Sequence, residues 1–252
     1  KGCSEEDVER PRFDQLKAAS SDALLFAFRR CHNYIAGNQG LQKPDAFWEL
    51  LKIIFCKIHD ERSSDEVEFY ATAKERHNLN GRLKVKARID ALYAAVKAEY
   101  DTIFRENEEI ELEPGVLAYI VSQLQMYSLL ESDIDVKGRA YEEIVGSNLR
   151  GDRGEFFTPR QVVRLLVGIL DPKAGESVYD PACGSGGMLV ETINTVRQSG
   201  GDTRTLRLYG QEVSLTTSAI ARMNLYLHDI EDFKIVRAPL ADPSPAHWVD
   251  LV

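Results

Sequence analysis

Long apolar runs are missing from this sequence. None of its hydrophobic segments approaches the ~20 residues that a membrane-spanning helix needs, and no signal-peptide core follows the charged opening residues KGCSEEDVER. Cysteine is scarce too: the four cysteines are scattered, with no Cys-x-x-Cys pair and no nearby histidine cluster. These absences argue against a membrane contact and a zinc site, and for reduced thiols in a cytoplasmic protein.

Positive charge is also in short supply. The chain has 31 Lys and Arg residues against 40 Asp and Glu residues, which gives a net charge of −9 at pH 7. A protein that binds nucleic acid unaided is usually basic, because neutralising the phosphates supplies much of the affinity. If DNA or RNA is the substrate, we therefore expect another subunit to bring it. The 252 residues, 44% of them hydrophobic, leave room for two globular domains.

The first part of the chain has a helical pattern. FDQLKAASSDALLFAFRRCHNYI and PDAFWELLKIIFCKIHDE place apolar residues at intervals of three and four, and later segments repeat this spacing. Strand-like alternation is hard to find here. We predict a helical N-terminal domain over residues 1–148, which ends in the glycine-punctuated connector GRAYEEIVGSNLRGDRG. Its aromatic and charged residues are interpreted as a core stripe and a solvated face.

Residues 149–252 change character and alternate strands with helices. Two helices, MLVETINTVRQSG and LTTSAIARMNLYLHDI, follow the first and second strands, and the predicted strands are SVYD, LRLYGQEV, FKIVRAPL and the beginning of a fourth, VDLV. This alternation predicts a parallel, doubly wound sheet, whose ligands bind at the carboxyl ends of the strands. We expect Asp180, Gly184 and Glu212 at such ends. Because the chain opens on Lys1 and stops within the fourth strand, we also expect it to be a piece of a longer protein.

One more helix is predicted before the first strand. Thr158 is followed by Pro159 and, three residues after the threonine, by Gln161. This spacing is typical of a helix start, where the hydroxyl caps, the proline fits the first turn and the amide reaches back. The helix is expected to run to about Leu170, before an Asp-Pro pair. One of its faces carries Val162, Leu165, Leu166 and Ile169.

The stretch VYDPACGSGGMLVETI indicates what the sheet binds. A dinucleotide site has the pattern G-x-G-x-x-G, but counting from Gly184 the last position is Leu189, and Asp180 would point negative charge at a pyrophosphate. No Gly-Lys-Ser/Thr of a nucleoside-triphosphate loop follows either. S-adenosylmethionine suits the turn better, because it carries an ammonium and a sulfonium and glycines let the backbone approach it closely. Glu212 is expected to accept hydrogen bonds from its ribose diol. Cys183 is interpreted as a packing residue rather than a nucleophile, since no base is adjacent in the motif.

Three motifs, GEFFTPR, DPACGSGG and YGQEV…TTSAIARMNLYLHDI, follow the helical region in this order. Together they resemble the modification subunit of type I restriction–modification systems, the gamma-class N6-adenine DNA methyltransferases, strongly over residues 138–230 and more loosely before. The resemblance implies an α + α/β fold, in which the helical domain precedes the first part of a Rossmann-like (class I) S-adenosylmethionine-dependent methyltransferase sheet. It also implies a cofactor site made of Glu155, Phe156, Phe157, Thr158, Pro159, Asp180, Pro181, Ala182, Cys183, Gly184, Ser185, Gly186 and Glu212.

The resemblance assigns roles within this set. Residues 156–159 would lie along the methionine end of the cofactor, Asp180 near its amino group, and Glu212 on its ribose hydroxyls. Taken alone, Phe156 and Phe157 are equally compatible with stapling a helix onto the core, and both roles can hold together.

The same resemblance shows where the chain departs from the family. The catalytic tetrad, Asn-Pro-Pro-Phe/Tyr, would follow the fourth strand, so no catalytic residue is assigned in this chain, which by itself is expected to bind the cofactor weakly or not at all. Ala238 stands where the family commonly has an Asp or Asn that contacts the adenine edge, and Asp242 is the substitute candidate.

The implied activity of the intact protein is transfer of the methyl group of S-adenosylmethionine to the exocyclic amine of a flipped-out adenine in DNA. The DNA would be bound through a complex with a specificity subunit, a second modification subunit and a restriction subunit. Two alternatives stay open. The fold could serve as a non-catalytic assembly or regulatory module, as the Ala238 departure and the early end of the chain allow. The same cofactor site could also belong to a methyltransferase that acts on RNA or protein, with a different element after the fourth strand.

Overall fold

The computed structural model describes residues 10–132, 158–228, 230 and 232–239. The chain divides into two compact units, Lys1–Leu149 and Arg150–Val252. The domain boundary predicted at residue 148 lies outside the described residues and stays a prediction. Among the residues described, none of the helices combines the length and the apolar character that crossing a bilayer requires.

Helices make up most of the described part of the first unit, as the apolar spacing predicts. They are α1 (Ser21–Gln39), α2 (Lys43–Ser63), α3 (Ala73–His77), α4 (Leu79–Glu99) and α5 (Pro114–Leu124). Their ends follow from local chemistry. The Ser20 hydroxyl accepts a hydrogen bond from Ala23 N at 3.3 Å, and Gly40 ends α1 in the left-handed conformation that glycine adopts without strain.

The helical prediction was wrong for the segment between Phe13 and Ser20. A single 3₁₀ turn over Phe13–Gln15 is followed by a short strand, β1 (Lys17–Ala18), which pairs in parallel with β2 (Tyr127–Ser128). The Ser20 cap explains the difference, since a cap residue has extended backbone angles and the helix can begin only after it. A distant partner strand then takes up the backbone groups that precede it.

The core of the first unit centres on α2, whose buried side chains include Phe47, Phe55 and Cys56. Phe104 packs edge-on against two of its neighbours, with ring centroids 5.5 Å from Phe55 and 5.4 Å from Tyr93. Such tilted aromatic pairs add stabilisation beyond the area that they bury.

Three parallel strands are described in the second unit. They are β3 (Ser177–Asp180), β4 (Arg207–Glu212) and β5 (Phe233–Arg237), in the spatial order β3-β4-β5. Helix α7 (Gly187–Gln198) connects β3 to β4, and α8 (Leu215–Leu227) connects β4 to β5. The predicted parallel arrangement is confirmed over these elements, whereas the predicted fourth strand VDLV lies outside the described residues. An apolar core formed by Val178, Leu189, Ile193, Leu208, Leu225 and Ile235, among others, holds the helices on the sheet.

Helix α6 (Arg160–Leu170) precedes the sheet and ends as predicted, with Asp171 left-handed at φ 49°. Its start differs from the prediction: Pro159 occupies the cap position, no side chain caps the helix, and Thr158 lies outside it and is exposed. Only Val163 and Val167 of this helix are buried. The four apolar residues predicted to share a face do share one, but that face is exposed. Helix α6 packs against α7, and an ion pair between Arg164 Nε and Glu191 Oε1, at 3.4 Å, joins the two helices.

Candidate functional site

The turn after β3 is built from backbone hydrogen bonds and two left-handed glycines. Gly184 has φ 53° and Gly186 has φ 83°, a region where residues with a side chain are strained. Gly186 N donates to Cys183 O at 2.7 Å, and Cys183 N donates to Gln211 O at 2.9 Å. The second bond ties the turn to β4, so the two strand ends are held in a fixed relation.

Close packing under the turn requires small residues. A Cβ atom at Gly210 would lie 2.8 Å from Cys183 Sγ and 2.6 Å from Ile235 Cδ1, closer than such atoms approach. Burial raises the pKa of the Cys183 thiol well above its ordinary value. Cys183 is therefore a protonated, packed thiol, as interpreted from the sequence.

Helix α8 supports the other side of the turn. Asn224, which is buried on α8, donates from Nδ2 to Ser185 O at 3.2 Å. A Cβ atom at Gly186 would contact Ala221 at 3.5 Å, so α8 lies directly against the point where α7 begins. The glycine turn is consequently held from β4 and from α8 at once, which is what a preformed ligand site requires.

A cavity of about 280 Å³ opens at the carboxyl ends of the strands. This is near the lower end of the ~300–1,000 Å³ that is usual for small-molecule sites. Its position is the one expected for ligands of open parallel sheets. Its walls are formed by Thr158, Val163, Asp180, Ala182, Cys183, Gly184, Ser185, Gly187, Met188, Glu212 and Thr217.

Two carboxylates, those of Asp180 and Glu212, line this cavity, and no basic side chain of the described residues forms an ion pair with them. Asp180 accepts a hydrogen bond from Ala182 N at 3.1 Å, and Glu212 accepts one from Ser214 N at 2.7 Å. Burial raises the pKa of Asp180, and the nearby charge of Glu212 raises it further. Within the described residues no lysine or arginine pairs with either carboxylate. The cavity therefore has a negative potential that a cationic ligand would neutralise.

The predicted site residues divide into three groups. Seven of them, at positions 158, 180, 182, 183, 184, 185 and 212, line the cavity together. Pro181 and Gly186 belong to the same turn, and Pro159 begins α6, but these three are not part of the cavity wall. Glu155, Phe156 and Phe157 lie outside the described residues. The binding roles of all of them stay predictions.

Sequence reasoning missed several residues of the cavity. Thr217 lines it, and its hydroxyl donates to Ser214 Oγ at 2.9 Å, so the cap of α8 reaches the ligand space. The serine-x-x-threonine spacing at that helix start was a signal that could have identified it. Val163 and Met188 carried no such signal, because only the packing of α6 and α7 brings them there.

Gln211 is a second residue that the sequence did not single out. Buried at the end of β4, it accepts a hydrogen bond from the Tyr179 hydroxyl at 2.7 Å and donates to Pro239 O. Its side chain thus links the ends of β3, β4 and β5 beneath the site. Ala238, the departure noted in the sequence, donates its N–H to Glu212 O at 3.2 Å. Asp242 lies outside the described residues, so its role in base contact stays a prediction.

A comparison with models of protein families matches residues 132–244 to the N-6 DNA Methylase family. The matched segment contains the glycine turn, both cavity carboxylates and all three described strands of the second unit. The recognition made from the three sequence motifs is confirmed.

Curated relatives are methylase subunits of type I restriction enzymes. The MjaVII methylase subunit of Methanocaldococcus jannaschii is 38% identical over 125 residues, which are 48% of this chain and 21% of that protein. The EcoKI methylase subunit of Escherichia coli K12 is 24% identical over 236 residues, which are 84% of this chain and 44% of that protein. The chain thus spans between about a fifth and less than half of the length of these relatives.

A solved structure extends the likeness to the helical unit. The methyltransferase subunit of a type I restriction–modification system from Streptococcus thermophilus superposes with a TM-score of 0.62 at 18% identity, covering 90% of this chain and 60% of that one. At this identity the match shows the fold. A helical region followed by a parallel sheet matches the fold of solved class I S-adenosylmethionine-dependent methyltransferase structures, which confirms the predicted fold class.

Proposed function

We propose that this chain forms the cofactor-binding part of the modification subunit of a type I restriction–modification system. In the intact protein it would bind S-adenosylmethionine in the 280 Å³ cavity for transfer of the methyl group to the exocyclic amine of adenine in DNA. The observation that carries this proposal is the pair of carboxylates, Asp180 and Glu212, at the ends of neighbouring parallel strands beside an open glycine turn.

The donor set fits this cofactor. The ammonium of its methionine part would neutralise Asp180, whose raised pKa reflects burial without a cation. Glu212 uses one carboxylate oxygen on Ser214 N, and its other oxygen makes no hydrogen bond to the described residues, so it can accept from a ribose hydroxyl. A Cβ atom at Gly184 or Gly187 would meet nothing within 4 Å, which leaves the path of a ligand along the turn open.

The contribution of these residues is binding and orientation. The cofactor supplies an activated methyl group, and the residues of the turn and the strand ends would fix its direction. Among the described residues that line the cavity, we assign none as an acid or a base for this reaction, which is consistent with direct transfer to an amine that other residues align. The family's catalytic tetrad is expected after the fourth strand, beyond the described residues.

The partners follow from the same proposal. DNA would be reached through a complex with a specificity subunit, a second modification subunit and a restriction subunit. The net charge of −9 supports this division of labour, since so acidic a chain gains little from the overall electrostatic attraction that draws basic proteins to DNA.

Calorimetric titration of the complete gene product with S-adenosylmethionine tests the cofactor site. We expect Asp180→Asn and Glu212→Gln each to weaken binding by about tenfold or more, the loss of one charge-assisted contact. Asp202→Asn is the matched control, because this carboxylate pairs with Arg204 outside the cavity and its loss should leave the affinity unchanged. Unchanged affinity in both cavity variants would refute the site.

Transfer of a tritiated methyl group to DNA, RNA and protein acceptors tests the substrate. Transfer to adenine in DNA supports the proposal, and transfer only to RNA or protein replaces it with one of the alternatives. Sequencing the source gene beyond the codon for Val252 is a simpler check of the reaction type. An Asn-Pro-Pro-Phe/Tyr sequence there supports an amino-methyltransferase, and its absence favours the assembly module.

A further inference from the structure

The helical first unit contains a cavity of its own, with about twice the volume of the proposed cofactor cavity. It has a volume of about 620 Å³ and lies among the C-terminal half of α1, the corner between α3 and α4, and the start of α5. We call it the arginine groove and define it by Tyr34, Arg76, His77, Arg82, Glu113 and Tyr119 of its wall. Nothing in the proposed cofactor function involves these residues.

A glycine at the α3–α4 corner brings the two arginines together. A Cβ atom at Gly81 would lie 2.4 Å from Glu75 Cα and 2.5 Å from Glu75 O, so only glycine allows the two helices this approach. Across the corner, Arg82 Nε donates to Arg76 O at 2.7 Å. This bond anchors the Arg82 side chain to the backbone of Arg76, and both residues line the groove.

These arginines have no acidic partner in the described part of the chain. Glu75, the buried carboxylate that precedes Arg76 in the sequence, is occupied: it accepts from Arg88 Nη1 at 3.0 Å and from the backbone and hydroxyl of Thr72. Arg76 Nε is buried and has no hydrogen-bond partner. Unpaired guanidinium groups are unexpected in a chain with nine more acidic than basic residues (40 − 31). Glu113 also lines the groove but is exposed and forms no ion pair with either arginine within the described residues.

The start of α5 adds to the positive potential. Pro114 is the first residue of this helix, and no side chain caps it, so the N–H groups of Gly115 and Val116 are left without a capping acceptor. Arg82 lies over this end: a Cβ atom at Gly115 would be 3.5 Å from Arg82 Nη1. A guanidinium against the positive end of a helix dipole is unfavourable by itself. A bound anion would relieve that repulsion and accept hydrogen bonds from both sources.

Aromatic rings form the opposite wall. Tyr34 of α1 and Tyr119 of α5 stack with ring centroids 3.8 Å apart and an interplanar angle of 23°. Both side chains are only partly buried, so ring surface remains for a planar ligand group. Stacking on an aromatic side chain is worth about 1–3 kcal/mol per base in nucleic-acid complexes.

We propose that the arginine groove binds the phosphate of a nucleotide, with the phosphate between Arg76, Arg82 and the start of α5 and the base against the tyrosines. The phosphate can belong to a free nucleotide or to a nucleic-acid strand, because the recognising groups are the same. This site is independent of the cofactor cavity.

Fluorescence anisotropy of a labelled short DNA single strand tests the proposal on the 252-residue chain, which contains the whole groove. We expect Arg82→Gln and Arg76→Gln each to weaken binding by about tenfold and to reduce the slope of log K against log salt by about one. Tyr119→Leu should weaken binding without changing the salt slope. Arg105→Gln removes an exposed arginine outside the groove and is the matched control. Thermal melting of each variant verifies that it is folded.

Competition separates the sources of the phosphate. Displacement of the strand by deoxyadenosine monophosphate, at concentrations at which inorganic phosphate has no effect, assigns the groove to a nucleotide. A strand that binds through both arginines but is not displaced by the mononucleotide assigns it to nucleic acid. Failure of the strand and of the mononucleotide to bind, or equal losses in Arg82→Gln and Arg105→Gln, overturns the proposal. Asp180→Asn should leave these results unchanged, so the two proposals fail separately.

Discussion

Asp180 and Glu212 end adjacent parallel strands and face one cavity. Asp180 is paired in register with Gly210 of the neighbouring strand. Glu212 follows Gly210 by two residues, so its carboxylate lies two residues further along that strand. The closeness has a measurable consequence, because the charge of Glu212 adds to burial in raising the pKa of Asp180. The burial and the neighbouring charge that oppose ionisation of Asp180 also favour binding of a cation beside the two carboxylates.

The affinity for S-adenosylmethionine should depend on pH through Asp180. Only the ionised carboxylate attracts an ammonium group, so we expect binding to tighten as the pH rises through the raised pKa of Asp180. Asp180→Asn keeps the acceptor for Ala182 N but should lose this part of the pH dependence. Calorimetry of both proteins over an acidic to neutral pH series measures it, and identical pH profiles would contradict the assignment.

The stability of the ligand-free protein should respond to Asp180 with the opposite sign. A carboxyl whose pKa is raised in the folded state ionises first in the unfolded chain, so stability falls as the pH rises from the ordinary value of 3.8 toward the raised one. We therefore expect Asp180→Asn to match or exceed the wild type in urea unfolding at neutral pH. A less stable variant would mean that the carboxylate holds the fold rather than the ligand.

The two left-handed glycines of the turn should have separable roles. Gly186→Ala places a methyl group against Ala221 at a φ of 83°, and we expect a loss of about 1–2 kcal/mol in unfolding free energy. Gly184→Ala, at φ 53°, puts its methyl group into open space beside the cavity and should weaken cofactor binding more than Gly186→Ala does. Urea unfolding and calorimetry of the pair distinguish these outcomes, and equal effects on binding would contradict this division.

The corner of the arginine groove should not tolerate a larger residue at Gly81. Gly81→Ala forces backbone atoms of α3 and α4 apart, and we expect a loss of about 1–3 kcal/mol. Gly37→Ala is the matched control, since its Cβ atom meets nothing within 4 Å and alanine favours a helix by up to about 1 kcal/mol. Chemical denaturation compares the two, and a neutral Gly81→Ala would show that the corner is loosely packed.

A buried ion pair within α2 also binds the backbone that follows β2. Glu61 Oε1 lies 2.9 Å from Lys57 Nζ, and the carboxylate also accepts from Leu129 N at 3.0 Å and Leu130 N at 2.9 Å. Glu61→Gln strands the lysine charge in the core, and we expect a loss of about 3–5 kcal/mol.

Glu66→Gln is the comparison for that change. Glu66 pairs with Arg10 in a position that is 75% exposed, so its loss should change the unfolding free energy by at most about 1 kcal/mol. Similar losses in Glu61→Gln and Glu66→Gln would show that burial of the first pair has no energetic consequence.

Much of the site was readable in the sequence because its signals are local. The strand SVYD, the glycine turn and the strand-ending Glu212 each occupy a few consecutive residues, and the rule that ligands meet parallel sheets at the carboxyl ends joins them. The packing role of Cys183 followed from the absence of a neighbouring base. Thr158 was expected to cap α6 because the spacing of Thr158, Pro159 and Gln161 fits a helix cap. In the structure, Pro159 is the cap residue and no side chain caps the helix.

In the described part of the second unit, the sequence by itself determined which segments are helices and strands and which carboxylates end the strands, because hydrophobic period and turn chemistry act over a few residues. Only the tertiary structure decided that Val163 rather than Leu165 is buried on α6, that Gln211 links three strand ends, and that Arg76 and Arg82 meet at one groove. Those outcomes depend on packing and hydrogen bonds between residues that are far apart in the sequence. A local pattern contains no information on which distant segment packs against a given residue.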